Sequence, residues 1–301
     1  MNRKLRANLM LLLTALVWGG GFAAQDMAMT YMPPFSFNGM RMLLAGLALL
    51  PVLYVQERKA ARVGNTPSQG AAGKKGKALW IAGFWCGLML FLGSGFQQMG
   101  IVHASAGKAG FVTALYIVLV PLMGLFGGKR VRRMVWLAVA ICTAGLFFLC
   151  VNESLEIGPG DAYLLVCAFC YTGHILVIDH YSQSVNGLRM SCIQFFVCAA
   201  LSLATAVLSE QPTGEGVRQS LLPILYAGLV SGAAGYTLQI LAQRDTEPTI
   251  ASLILCLESV FAVLAGWLLL GDLLTARELM GCGMMFAGIL LAQWPEKRPE
   301  A

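Results

Sequence analysis

Apolar runs long enough to cross a hydrocarbon layer follow one another along this chain, separated by short polar stretches. A ~30 Å layer needs about 20 helical residues at ~1.5 Å per residue. Such runs fall at about 7–25, 35–55, 78–99, 105–126, 133–151, 160–179, 189–209, 219–242, 249–270 and 276–294. The pattern predicts an all-α membrane protein of ten transmembrane helices with both termini on one side. Helix-end chemistry sharpens two boundaries. Asp245-Thr246 is placed to cap the ninth helix, with Pro248 in its first turn, and Thr275 with Glu278 spells a capping box opening the tenth.

The polar connections set the orientation. Of the 21 Lys and Arg residues, only Arg218 and Arg277 fall in connections on the side away from the termini, and Arg41 and Lys108 lie within spans. All others collect at the termini and in the connections on the same side, so both termini are expected in the cytoplasm. Trp80, Trp136 and Trp294 at cytoplasmic helix ends and Trp267 at an outer one fit an interfacial aromatic belt. The longest connection, 56–77, reads as a flexible cytoplasmic loop rich in Gly, Lys and Ala. The first run resembles a signal peptide, but its apolar core from Ala7 to Ala24 is longer than a usual one, and it is read as helix one.

Composition agrees and narrows the function. Hydrophobic residues are 57% of the chain and charged ones 12%, about half the ~25% of soluble domains, with mean hydropathy +0.70. The net charge of +6 forms no basic stripe with interleaved aromatics, so nucleic acid is not expected as a partner. The nine cysteines lie inside or at the ends of apolar runs and read as small packing residues rather than a disulfide framework.

The anomaly is Glu258, roughly 14 Å into the ninth predicted helix. A carboxylate at mid-bilayer costs about 2.5–3.5 kcal/mol on insertion scales, so it must face protein or water. The chain also matches itself. A shift of 153 lays helices one and two on six and seven, with Trp18 on Tyr171 and Arg41 on Gln194; a shift of 138 lays three and four on eight and nine. Helix five then falls on ten. Two five-helix halves, 7–151 and 159–294, must enter the membrane from opposite sides, and inverted repeats place a substrate site between them at the midplane.

At these motifs the chain resembles the drug/metabolite transporter superfamily, specifically its ten-helix EamA-type permeases. The matching residues are Trp18-Gly19-Gly20-Gly21-Phe22, Pro34-Phe35 with Arg41, Ser105 through Phe111 with Leu115-Tyr116 and Val120-Pro121, Leu257 through Ala262, and Gly271-Asp272-Leu273-Leu274-Thr275. The pattern of the family usually has Glu-Pro where this chain has Glu258-Ser259, which puts the proline kink in question. The resemblance implies a secondary carrier of small metabolites, often amino acids or drugs and often outward.

Candidate side chains follow. Glu258 can take a coupling proton or a substrate ammonium, or simply pack among small residues. Arg41 can hold a carboxylate with its planar fork, pair with Glu258, or snorkel to headgroups. Lys108 can guide anions into the cavity or snorkel. Trp18, Phe22, Tyr116, Tyr171 and Tyr236 can wall a cavity, and Gln97, Gln98, Gln194 and Gln239 can offer amides. Cys167, Cys170 and His174 share one helix face, but no fourth metal ligand is visible, and no metal or cofactor is expected. Gly158-Pro159-Gly160-Asp161 spells the GxGD string of intramembrane proteases without a second aspartate at depth, and no hydrolase or phosphate-loop motif occurs, so an enzyme is not expected. The expected function is alternating-access transport, outward, of a small organic metabolite, an amino acid or related zwitterion, in the bacterial inner membrane. The alternative is a non-transporting assembly subunit or sensor. The expected partners are the metabolite and the lipid bilayer, with a homodimer left open.

Overall fold

The protein was analysed as a computed structural model that describes residues 2–62, 69–104, 106–151, 158–265, 267–268 and 275–294. Ser105, Gly266, residues 269–270 at the end of the predicted ninth helix and the motif residues 271–274 lie outside them. Among the described residues there is no strand. Among those residues, eight helical segments are long and apolar enough to cross a membrane, and Pro248–Leu264 is a shorter apolar one.

The first half comprises α1 (Arg3–Met29), α2 (Pro34–Arg62), α3 (Gln69–Ile101), α4 (Ala106–Thr113), α5 (Tyr116–Phe126) and α6 (Arg133–Cys150). The second comprises α7 (Pro159–Tyr181), α8 (Gly187–Ser209), two short helices α9 (Gly214–Gln219) and α10 (Leu221–Leu225), a π-helical stretch Tyr226–Tyr236, α11 (Thr237–Gln243), α12 (Pro248–Leu255), α13 (Glu258–Ala265) and α14 (Ala276–Gln293). Most of the expected loop 56–77 is helical. Good helix formers after Gln56 carry α2 beyond the apolar run, where Glu57 pairs with Arg189 at 2.9 Å and Arg58 lies over Tyr54; residues 63–68 lie outside the described ones.

The cap of α14 is as expected, with Thr275 and Glu278 bonded reciprocally. That of α12 differs: Glu247, not Asp245 or Thr246, is the N-cap residue, because Pro248 occupies the first helical position and fixes the start there.

Two predicted spans are broken in the same way. Between α4 and α5 the amides of Leu115, Ile117 and Val118 bond to carbonyls three residues back, and between α12 and α13 those of Leu257 and Ser259 do so. The tighter turn replaces a proline kink: Glu258-Ser259 breaks its helix without one. The breaks lie 142 residues apart, since α4 and α12 start at 106 and 248 and α5 and α13 at 116 and 258. That spacing exceeds the sequence shift of 138 by four residues, about one helical turn. A slip of four residues keeps the same helix face, so Leu-rich sequence cannot detect it. α2 and α8 start at 34 and 187, a separation of 153 residues.

α2 packs against α8 and α6 against α14, each pair running antiparallel. On α2 and α8, Gly39 meets Leu203 and Gly46 meets Phe196; on α6 and α14, Gly145 meets Gly281 while Cys142 meets Gly288. Small residues at these crossings let the backbones approach, as packing within a membrane requires. Meanwhile α1 crosses α13 and the π-helical stretch, and α7 crosses α3, α4 and α5. Large apolar side chains such as Leu9, Leu13 and Leu16 of α1 face outwards.

Candidate functional site

A cavity lies where the two halves meet. The first half contributes Trp18, Phe22 and Gln25 of α1, Arg41 of α2, Gln97 of α3, Thr113 of α4 and Tyr116 of α5. The second contributes Tyr171, His174 and Ile175 of α7, Ser231 and Tyr236 of the π-helical stretch, Gln239, Leu255 and Glu258. Its volume is about 40 Å³, room for a few waters but well short of the ~300 Å³ of a ligand pocket.

The helix breaks aim two of these side chains. Glu258 is the first residue of α13 and Tyr116 the first of α5. The Tyr116 hydroxyl donates to Glu258 Oε1 at 3.4 Å, and Glu258 is buried. Each follows a tightened turn directly, and both side chains line the cavity.

Arg41 does not snorkel; it is 3% exposed. Its Nε donates to Asn38 Oδ1 and its Nη1 to Gln25 Oε1, both at 3.0 Å, and its carbon Cζ lies 5.3 Å from the Phe37 ring centre. Gln25 Oε1 also accepts from Gln98 Nε2. Arg41 Nη2 is buried without a partner. Arg41 and Glu258 thus share a cavity but form no ion pair.

Aromatic rings complete the wall. Trp18 stacks at a tilt 4.7 Å from Tyr236 and donates Nε1–H to the Ser231 carbonyl at 3.0 Å. The Tyr171 hydroxyl donates to Gln97 Oε1 at 3.2 Å and lies 3.4 Å from that of Tyr236. Gln194 stands one layer behind, its Oε1 3.0 Å from His174 Nε2. That contact and the 3.9 Å approach of Cys167 to Thr113 occupy two of the three side chains weighed as metal ligands. Among the described residues no group of three metal-ligating side chains occurs.

Sequence reasoning missed Gln25, Thr113, His174 and Ser231 as cavity-wall residues, with the apolar Ile175 and Leu255. Gln25 was detectable: Trp18, Phe22 and Gln25 recur at i, i+4 and i+7 on one face of α1. Ser231 was not, because a π-helical stretch changes the period that places it.

Lys108 lies away from the cavity. Its Nζ pairs with Asp161 Oδ2 at 2.7 Å, and the same carboxylate oxygen accepts from the Gly158 amide. The GxGD aspartate is thus a helix-capping anchor that ties α4 to α7 across the halves. At the other end of α7, Asp179 pairs with Lys129. With side chains 23% and 16% exposed, the Lys108–Asp161 pair is between surface and core. A double-mutant cycle with Lys108→Ala and Asp161→Ala, read by thermal unfolding in detergent, is expected to give a coupling of about 1–2 kcal/mol.

The halves match the EamA-like transporter family at residues 5–151 and 158–294. An uncharacterized transporter of Archaeoglobus fulgidus is 30% identical over 291 residues, which cover 96% of this chain and 86% of that one. The S-adenosylmethionine/S-adenosylhomocysteine transporter of Chlamydia muridarum is 25% identical, over 96% of this chain and 92% of its own. One crystal structure shares the fold, with a TM-score of 0.74 at 18% identity, covering 95% of this chain and 97% of that one. From the match across both halves, the chain belongs to the EamA-like transporter family and is a multi-pass membrane transporter.

Proposed function

We propose that this protein carries a small zwitterionic metabolite, an amino acid or close derivative, outwards across the cell inner membrane by alternating access at the cavity between its halves. The observation that carries this reading is the cavity wall itself: a buried guanidinium with an unpartnered Nη2 and, from the other half, a buried carboxyl group. Arg41 takes the substrate carboxylate and Glu258 its ammonium, or a proton when the substrate is absent. The aromatic wall accepts the apolar remainder. The Chlamydia relative's named cargoes bear an α-ammonium and an α-carboxylate, in keeping with that class.

The ten helices form two inverted repeats, 7–151 and 159–294, with both termini in the cytoplasm. Supporting this are the antiparallel pairing of α2 with α8 and of α6 with α14, and the matched breaks that put Tyr116 opposite Glu258. Since the cavity holds only a few waters, the substrate is admitted when the halves rock apart.

Purified protein is to be melted in detergent with amino acids, nucleosides, sugars and cationic drugs at two pH values. A ligand at a hundred times its Kd stabilises by about 2.7 kcal/mol. Stabilisation confined to amino acids and their derivatives is expected; none from any compound would move the weight to an assembly subunit or sensor. Glu258→Gln is expected to abolish pH-driven uptake into proteoliposomes while leaving substrate exchange. Intact proton coupling in that variant would remove Glu258 from the coupling role.

A further inference from the structure

A second, larger cavity of about 540 Å³ lies toward the N-terminal end of α1, walled by Lys4, Asn8, Gln243, Arg244, Asp245 and Glu247 among others. Its volume is that of a small-molecule site. It is stacked on the central cavity along the same helices: α1 runs from Asn8 here to Trp18 there, and α7 from Asp179 here to Ile175 there.

Gln243 distinguishes this space from a solvated vestibule. It is 2% exposed, its Nε2 donates to the Ile175 carbonyl at 3.1 Å, and its Oε1 has no partner. The bond to Ile175 fixes the amide and leaves the oxygen as the free end, a buried acceptor that costs free energy until a donor arrives. One turn earlier, Gln239 lines the central cavity, 1% exposed and also with a free Oε1. Residues four apart share a helix face, roughly 6 Å apart along the axis. Two unpartnered acceptors thus lead from the outer cavity to the inner one. At the mouth stand the exposed acids Asp245 and Glu247, with Lys4 and Arg244 supplying the opposite charge.

We infer that this cavity is a second binding site, an antechamber in which Gln243 Oε1, Asp245 and Glu247 hold the ammonium group of a small zwitterion before Gln239 receives it at the central cavity. The zwitterion class rests on the function proposed above; recognition of the ammonium rests on Gln243 and the acids alone. Lys4 and Arg244 hold the carboxylate end until Arg41 takes it over.

The test uses the full chain in lipid nanodiscs, with methylammonium as the probe and sodium chloride at equal concentration as the control. Asn8→Cys, on the antechamber wall, reports by its rate of alkylation over that of the parent protein. Methylammonium is expected to slow that alkylation, and to do so equally when Glu258→Gln is added. Adding Gln243→Leu, or Asp245→Asn with Glu247→Gln, is expected to raise the half-protecting concentration tenfold or more. The acid pair is exposed, so that variant tests the site even where Gln243→Leu disturbs folding. No protection beyond sodium chloride, or undiminished protection in the acid variant, overturns the inference. So does protection abolished by Glu258→Gln alone, which would put the ammonium in the central cavity. Failure of the central reading shows elsewhere, as an absence of stabilisation by any amino acid, and leaves this result standing.

Discussion

Arg41→Ala is expected to lower affinity for the zwitterionic substrate by a hundredfold or more. A guanidinium that meets a carboxylate with two N–H groups makes two charge-assisted hydrogen bonds, each worth about 1.5–3 kcal/mol. Every ~1.4 kcal/mol is a factor of ten. In this protein Nε and Nη1 are committed to Asn38 and Gln25, which hold the fork in place, and Nη2 is buried without a partner on a residue of the cavity wall. A second contact to the carboxylate requires Nη1 to leave Gln25, whose Oε1 keeps the Gln98 Nε2 donor when it does. Stability moves less than binding does. Truncation leaves the Asn38 oxygen short of a donor, at about 1–3 kcal/mol, but removes a buried charge whose desolvation opposes folding. Arg41→Lys separates the two effects: it keeps the charge, loses the planar fork, and is expected to lose at least tenfold in affinity with a nearly unchanged melting temperature. Equilibrium binding of the amino acid identified by melting reads both variants. Binding within threefold of wild type in Arg41→Ala would take the carboxylate away from this residue.

The sequence made the broad architecture legible because membrane burial writes itself into composition and charge. Apolar runs marked the spans, and Glu258 and Arg41 stood out because ionisable groups at depth are costly enough to be rare. Both line the cavity, with Trp18, Tyr116 and Tyr171. What stayed hidden depends on where each helix departs from the regular period. Hydropathy cannot see the tightened turns at 114–118 and 254–259 or the π-helical stretch, since the residues there are as apolar as their neighbours. The same blindness explains why a shift of 138 lays Tyr116 on Ile254, whereas the helix that follows the second break starts at Glu258 as α5 starts at Tyr116. Lys108 was legible as a charge within a span, but its partner was not. Asp161 lies beyond a polar connection, and only the crossing of α4 with α7 brings the two together.

Gly19→Ala is expected to destabilise the protein by about 1–3 kcal/mol and to abolish transport with it, though the change adds one methyl group. A Cβ at Gly19 would lie 2.7 Å from Phe261 Cβ, 2.8 Å from the Ala262 nitrogen and 2.8 Å from the Glu258 carbonyl oxygen. None of these is the end of a flexible side chain, so α1 and α13 must part by about an ångström, the ordinary cost of overpacking a dense interior. Movement of α13 carries Glu258 with it, and the 3.4 Å contact to Tyr116 is already long. Position therefore predicts severity along the glycine run. At Gly20 the new methyl would meet the Tyr226 hydroxyl at 2.5 Å, a ring end that can swing away for the loss of one hydrogen bond to the Val17 carbonyl. That variant is expected to lose only about 0.5–1.5 kcal/mol. Gly283→Ala on the exposed face of α14, with nothing within 4 Å of its added methyl, is expected to be neutral or to gain up to about 1 kcal/mol from helix propensity. Thermal melts and substrate exchange of the three variants check the order. Gly19→Ala with wild-type melting and exchange would mean that α1 and α13 are not held in this close contact, and the coupling between the glycine run and the cavity would fall with it.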